Sequence, residues 1–171
     1  GTDGCTRPNG RTYKGQIIIA QNSLMNASGT VRTVTLQDFS VDDVKIEGQH
    51  TATYQGLNSA GLPYWTRTGS KTLTWPDGSI GDWTATHTLT QLEGAATAAL
   101  ADNVWQIEGG CTGTNHLGND YTSEITKPLV KRADCKWISE GTRTIQQGNR
   151  TRTLDFGDGS CDDAATLTLN N

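Results

Sequence analysis

Apolar and polar residues alternate along most of this chain. Val31, Thr33, Thr35 and Gln37 fall on one side of an extended segment, with Arg32, Val34 and Leu36 on the other. Val44, Ile46, Gly48, His50, Ala52 and Tyr54 alternate with Lys45, Glu47, Gln49, Thr51 and Thr53. Trp83, Ala85, His87 and Leu89 interleave with Thr84, Thr86, Thr88 and Thr90, and Ala165, Leu167 and Leu169 with Thr166 and Thr168. A period of two is what a sheet with one dry and one wet face requires. Threonine suits the wet face, because its branched Cβ favours extended backbone while its hydroxyl accepts water. The longest apolar run, Ile17 to Ala20, reads as an ordinary buried strand.

Turn signals separate these segments every ten to fifteen residues or so. They include Pro8-Asn9-Gly10, Asn26-Ala27-Ser28-Gly29, Asn58-Ser59-Ala60-Gly61, Pro76-Asp77-Gly78, Leu117-Gly118-Asn119 and Gln147-Gly148-Asn149. Only the Ala-rich stretch from Gly94 to Asp102 could turn once or twice as a helix, and a loop fits it equally. A short pattern, E-G-x-x-T, recurs at Glu47, Glu93, Glu108 and Glu140. Its spacing is too uneven for a regular solenoid, so the hairpin is the repeated unit. A glycine at the same place in each points to a bulge or a close backbone approach. The prediction is one all-β domain over residues 1–171, of about ten strands, as an antiparallel, hairpin-rich sandwich or roll.

Composition narrows the function. Charged residues make up 19% and hydrophobic ones 33%, with a formal net charge of -4. That balance excludes a general binder of phosphate backbones, so no nucleic acid is expected as partner. The small basic cluster Lys127, Lys131, Arg132 and Lys136 reads as a solvated face. No apolar run approaches the roughly 18 residues of a transmembrane segment. The opening Gly1-Thr2-Asp3-Gly4 looks processed, which leaves room for a lipid anchor upstream. Four cysteines, Cys5, Cys111, Cys135 and Cys161, are too widely spaced for a zinc knuckle and fit two disulfides in an oxidising compartment. A secreted, periplasmic or cell-surface location follows. Gly1-Thr2-Asp3-Gly4-Cys5 echoes Gly157-Asp158-Gly159-Ser160-Cys161, so the expected pairs are Cys5–Cys161 and Cys111–Cys135.

Several segments together carry a resemblance. They are Gly4-Cys5-Thr6, Asn9-Gly10-Arg11, Lys14-Gly15, Ile17-Ile18-Ile19, Trp75-Pro76-Asp77-Gly78, Cys135-Lys136-Trp137-Ile138-Ser139-Glu140-Gly141 and the ending Thr151 to Asp162. Spread over nearly the whole chain, they resemble a family of proteins, often lipoproteins, exported by Bacteroidetes-type bacteria. The resemblance implies an exported β-protein and brings no settled activity with it. The family pattern has no cysteine at the position of Cys111. That implies a disulfide peculiar to this chain, or a free pair, rather than a family-wide metal site.

The chemistry on offer is mostly that of binding. No Gly-x-Ser-x-Gly elbow, His-Glu-x-x-His or phosphate loop is present, so no catalytic residue is assigned. Asp155, Asp158, Asp162 and Asp163 crowd one Gly-rich turn that could wrap calcium, although Asp side chains capping their own backbone explain it as well. No other cofactor is called for. Five tryptophans are many for a chain only 6% aromatic. Flat indoles on a polar sheet suit stacking on sugar rings, which makes Tyr64, Trp65, Trp75, Asp77 and Trp83 the candidate ligand-binding set. Tyr64-Trp65 and Trp75-Pro76-Asp77 flank one predicted hairpin, so their rings are expected close together. Trp105 and Trp137 read as core. Arg32, Arg143, Arg150 and Arg152 interrupt the threonine pairs, which argues against a flat face that orders water.

The expected function is therefore a non-enzymatic extracytoplasmic binding or surface module, with a glycan as preferred ligand. The alternatives are a structural or protein–protein interaction module working through its strand edges, and a glycan hydrolase using paired carboxylates.

Overall fold

A computed structural model describes residues 4–24 and 27–170. The strands are β1 (Cys5–Thr6), β2 (Thr12–Gln21), β3 (Val31–Val41), β4 (Val44–Leu57), β5 (Pro63–Thr74) and β6 (Ile80–Glu93). They continue as β7 (Val104–Thr114), β8 (Asp120–Arg132), β9 (Glu140–Gln147), β10 (Arg150–Asp158) and β11 (Thr166–Asn170). All eleven form one antiparallel sheet in strict chain order, each paired with its sequence neighbours and not closed into a barrel. The expected all-β, hairpin-rich architecture forms, with one two-residue strand more than the ten or so predicted. Gly94 to Asp102 forms turns and no helix. The turn at Asn26 begins outside the described residues.

Burial falls mainly on one face of this sheet. Tyr54, Ala85, Cys111, Leu129 and Ser123 are buried there, while Thr68, Thr84 and Thr86 on the opposite side are exposed. The accessible surface is 10558 Å² for 18.4 kDa, against about 8,200 Å² for a compact monomer of that mass. So large a surface means that few side chains are covered on all sides. The core is a strip of half-buried residues along the middle strands. Ile17, Ile18 and Ile19 are exposed, contrary to the buried strand their sequence suggests. The reason is topological: among the described residues, β1 covers β2 only at Thr12 and Tyr13 and no other strand pairs along that edge.

The E-G-x-x-T glycines explain the hairpin unit. Gly48, Gly109 and Gly141 have φ of 129°, 108° and 107°. A Cβ on each would stand 2.2 Å from a carbonyl oxygen of the neighbouring strand: Ser70, Thr86 and Pro128 respectively. All three also lie where a register shift interrupts the ladder with a partner strand. A residue without Cβ is therefore required for strands to pass this closely. Gly94 differs, since β6 ends at Glu93 and the glycine opens the following loop.

The cysteine pairing is corrected. Cys135 bonds to Cys161, with Cα atoms 5.7 Å apart, while Cys5 is free and exposed and Cys111 is free and buried. The open sheet is the reason. Cys5 sits on β1 and Cys161 just before β11, at opposite margins of eleven strands, so the end-to-end bond cannot form. Cys111 lies within β7, turned toward Ser123 and Arg143 rather than toward the loop that holds Cys135.

Candidate functional site

Strand register sorts the charged residues by face. Directly opposed residues in neighbouring strands point the same way, so rows can be followed across the sheet. One row runs Val34, His50, Gly69, Ala85, Cys111, Ser123, Ile145, Arg152 and Leu169. Its neighbour runs Arg32, Ala52, Arg67, His87 and Gly109. On the other side comes Leu36, Gly48, Lys71, Trp83, Gly113 and Tyr121. This face thus carries Arg32, Arg67, Lys71, Lys131, Arg143, Arg150 and Arg152 with His50 and His87. The carboxylates that the strand registers place, Glu47, Asp82, Glu93, Glu108, Asp120, Glu124, Glu140, Asp155 and Asp158, all fall on the opposite face.

Among the described residues, none of those seven cations makes an ion pair. The ion pairs present are Arg11–Asp42, Lys14–Asp43, Lys45–Glu47, Lys127–Glu140 and Arg132–Asp134, all elsewhere. Lys71 lies 5.5 Å over the ring of Trp83, a cation–π contact. Arg143 donates to Ser123 Oγ at 2.5 Å and reaches Cys111 Sγ at 3.5 Å. Burial, then Arg67 and Lys71, push the His50 imidazole below its ordinary value; burial, then Arg67 and Arg143, do the same to His87. The electrostatic result is a basic face on an acidic chain, its charges interleaved with aromatic rings.

The opposite face is a threonine array. Thr33, Thr51, Thr68 and Thr86 stand in register across β3 to β6, with Thr51 and Thr68 hydroxyls 3.0 Å apart. Thr84, Thr112 and Thr122 make a second row. The arginines expected to interrupt these pairs do not: Arg32, Arg143, Arg150 and Arg152 occupy the other side of the same strands.

The candidate ligand-binding residues are split among three places. Trp65 sits on the basic face near one end, against Tyr54 at 4.8 Å and Trp105 at 5.1 Å between ring centroids. Trp83 lies on the same face beside Lys71, about 20 Å along the strand direction. Trp75 lies beyond the far end of β5, about 30 Å from Trp65, so the expected closeness of Tyr64-Trp65 to Trp75 is wrong. These residues bracket a long strand rather than a tight turn. Trp75 packs on Gly81, where an added Cβ would meet its ring at 3.1 Å, and its centroid is 5.4 Å from that of His116. Tyr64 faces away, opposite Thr90. Asp77 accepts from the Ser79 amide and hydroxyl, which hold its carboxyl below the usual range, so turn-making occupies it. Trp105 is half-buried as expected of a core residue, but Trp137 is 43% exposed, with Lys136 4.6 Å over its ring. Trp137 belongs to the loop stapled by the disulfide, outside the sheet's covered strip.

The acidic turn does not gather its carboxylates. Asp155 accepts from the Gly157 amide, Asp158 from the Ser160 hydroxyl and Asp162 from the Ala164 amide. With Asp163 they line two shallow depressions near Phe156. Among the described residues, no three His, Cys, Asp or Glu side chains come together as a metal would need. The expected calcium set is thus not gathered: Asp155 and Asp162 accept from nearby backbone amides and Asp158 from a side-chain hydroxyl.

One carboxylate pair does share a depression. Asp82 and Asp120, on the threonine face, line a hollow of about 460 Å³ with Tyr121 and Gln146. Both are exposed and bound to Thr114: its amide donates to Asp82 at 3.2 Å and its hydroxyl to Asp120 at 2.9 Å.

No family model matches the chain, and no curated protein or solved structure matches it either. What the protein does therefore rests on its own geometry. The basic face escaped the sequence reading because net charge hides sidedness. The signal was present in Arg67-x-x-x-Lys71, whose members alternate with Thr66, Thr68, Ser70 and Thr72.

Proposed function

We propose that this chain is a non-enzymatic binding module whose ligand is an acidic polysaccharide, held on the basic, aromatic face of the sheet. One observation carries the reading. Among the described residues, seven strand-borne cations lie on a single face without a carboxylate partner, interleaved with Trp65, Trp83 and Tyr121. Unpaired guanidinium groups suit uronate or sulfate oxygens, which they can take two at a time. The indole rings suit the apolar faces of the sugars between. The disulfide favours an oxidising compartment outside the cytoplasm, where polysaccharides rather than nucleic acids are the abundant polyanions.

The test is a titration of Trp fluorescence with a polyuronate, a sulfated polysaccharide, a neutral glucan and single-stranded DNA, each at low and high salt. Saturable, salt-sensitive binding to an acidic polysaccharide is expected, weakened about tenfold or more by Arg67→Glu or Arg143→Glu. Equal binding of the neutral glucan would shift the reading to the rings alone. Preference for DNA would replace the ligand class, and silence across all four would end the proposal.

A further inference from the structure

The two margins of the sheet are unprotected and match one another. Among the described residues, β1 covers β2 only at Thr12 and Tyr13, and no strand pairs along Gln16-Ile17-Ile18-Ile19-Ala20-Gln21. At the other margin, among the described residues, Thr166-Leu167-Thr168-Leu169-Asn170 pairs with β10 alone along its whole length. These edges are thus six and five residues long. Exposed strand edges offer unpaired N–H and C=O groups to any chain that can pair with them, and stable monomers block them with charge, proline or a bulge. Neither segment contains a charged residue or a proline. Both instead expose apolar side chains: Ile17 and Ile19 at 54% and 64%, Leu167 and Leu169 at 56% and 62%.

Direction and facing also agree. Nine antiparallel pairings separate β2 from β11, so the two strands run oppositely. A second copy placed beside the first in the same orientation therefore meets it antiparallel, as every other pair in the sheet meets. Ile17 and Ile19 share a face with Leu36 and Val34, and Leu167 and Leu169 share one with Leu154 and Arg152. Followed across the rows, these are the same face. Joining the margins places isoleucines opposite leucines and keeps both faces continuous.

We propose that copies of this chain associate edge to edge, β11 of one copy pairing with the Gln16–Gln21 half of β2 of the next. Such a head-to-tail contact leaves a free edge at each end, so it builds open rows or rings rather than closed pairs. The proposal is independent of the polysaccharide reading, though each junction would lengthen the ligand-binding face.

The experiment is sedimentation velocity of the full chain from micromolar to millimolar concentration, with Ile19→Lys and Leu167→Lys as single variants. Each changes an exposed residue and is checked by an unchanged thermal melt. The unaltered chain should grow past a dimer with concentration, and each variant alone should stay at 18.4 kDa. Mixed in equal amounts, the two variants retain one intact junction and should stop at about twice that mass. A monomer at every concentration, as internal closure of the sheet would give, overturns the proposal. So does association that either variant leaves unchanged, and so does an Ile19→Lys and Leu167→Lys mixture that stays monomeric.

Discussion

The two faces of this sheet are built from the same strands and obey different rules. On one, threonines repeat at every second position and across neighbouring strands, and each is tolerant because water completes its surroundings. On the other, glycines, aromatic rings and unpaired cations alternate, and several positions admit only one residue type. Arg67 and Thr68 are adjacent in sequence and lie on opposite sides of this divide. Sidedness, and not composition, separates a solvated threonine surface from a cationic, aromatic one here.

The largest expected difference between the faces concerns backbone fit. Gly109 has a φ of 108°, and a Cβ there would stand 2.2 Å from the Thr86 carbonyl oxygen. Gly109→Ala must both strain the backbone and push two strands apart, a loss of about 3 kcal/mol or more. Thr86→Ala, on the exposed face of the strand that Gly109 would strike, removes only a hydroxyl and a methyl and should lose less than about 1 kcal/mol. Urea unfolding of the two variants measures both. Similar losses would mean that the faces are equally demanding.

This contrast also marks what was legible in the sequence. Alternation assigned Val34, Ile46, His50, Trp83 and Leu89 to the correct side of their strands, because a period of two needs no knowledge of neighbours. The in-strand glycines were legible for the same reason, as breaks in a pattern. Register was not legible, since it depends on which residues stand opposite, and so neither the basic rows nor the unbroken threonine rows could be read. The exposure of Ile17 to Ile19 was hidden too: an apolar run looks buried until the topology leaves one of its edges bare. Cys135–Cys161 was missed because a terminal echo in sequence says nothing about whether the sheet brings its ends together.

That disulfide sharpens the comparison from outside it, since it lies in the end loops and belongs to neither face. It closes a chain separation of 26 residues, for which loop-closure entropy amounts to about 3.5 kcal/mol. Engineered bridges often return less, so Cys135→Ser with Cys161→Ser should lower unfolding stability by about 2 to 3 kcal/mol. Polysaccharide binding at low temperature should be unchanged. Loss of binding in the folded double variant would tie the end loops, with Trp137 and Lys136, to the ligand. Thiol titration of the native chain offers a simple check of the pairing: Cys5 should react at once and Cys111 only on unfolding.

Next in size is a direct attempt to break the comparison. Arg67→Gln and Thr68→Val change consecutive residues without altering strand propensity greatly. If the basic face holds the ligand, the first should weaken polyuronate binding about threefold to tenfold and flatten its salt dependence. The second should leave both within error. The reverse pattern would transfer the binding surface to the threonine array.

The smallest effect is one of pH, and its sign follows from the histidines. Burial and the nearby Arg67 hold His50 and His87 below their ordinary value of 6.5 in the folded chain. Between the folded and unfolded values, the unfolded chain therefore binds more protons than the folded one. Stability contributed by the neutral imidazoles is complete above 6.5 and is lost as the pH falls through that value toward the lower folded one. The melting temperature should accordingly drop modestly from neutral to mildly acidic pH, and less steeply in His50→Gln with His87→Gln. Ligand binding should move the opposite way, because an anion on this face favours the protonated rings and tightens as pH falls. A chain whose stability and polyuronate affinity both decline on acidification would place the ligand away from His50 and His87. The two slopes, measured on one sample, thus report whether the face that is hardest to protonate is also the face that binds.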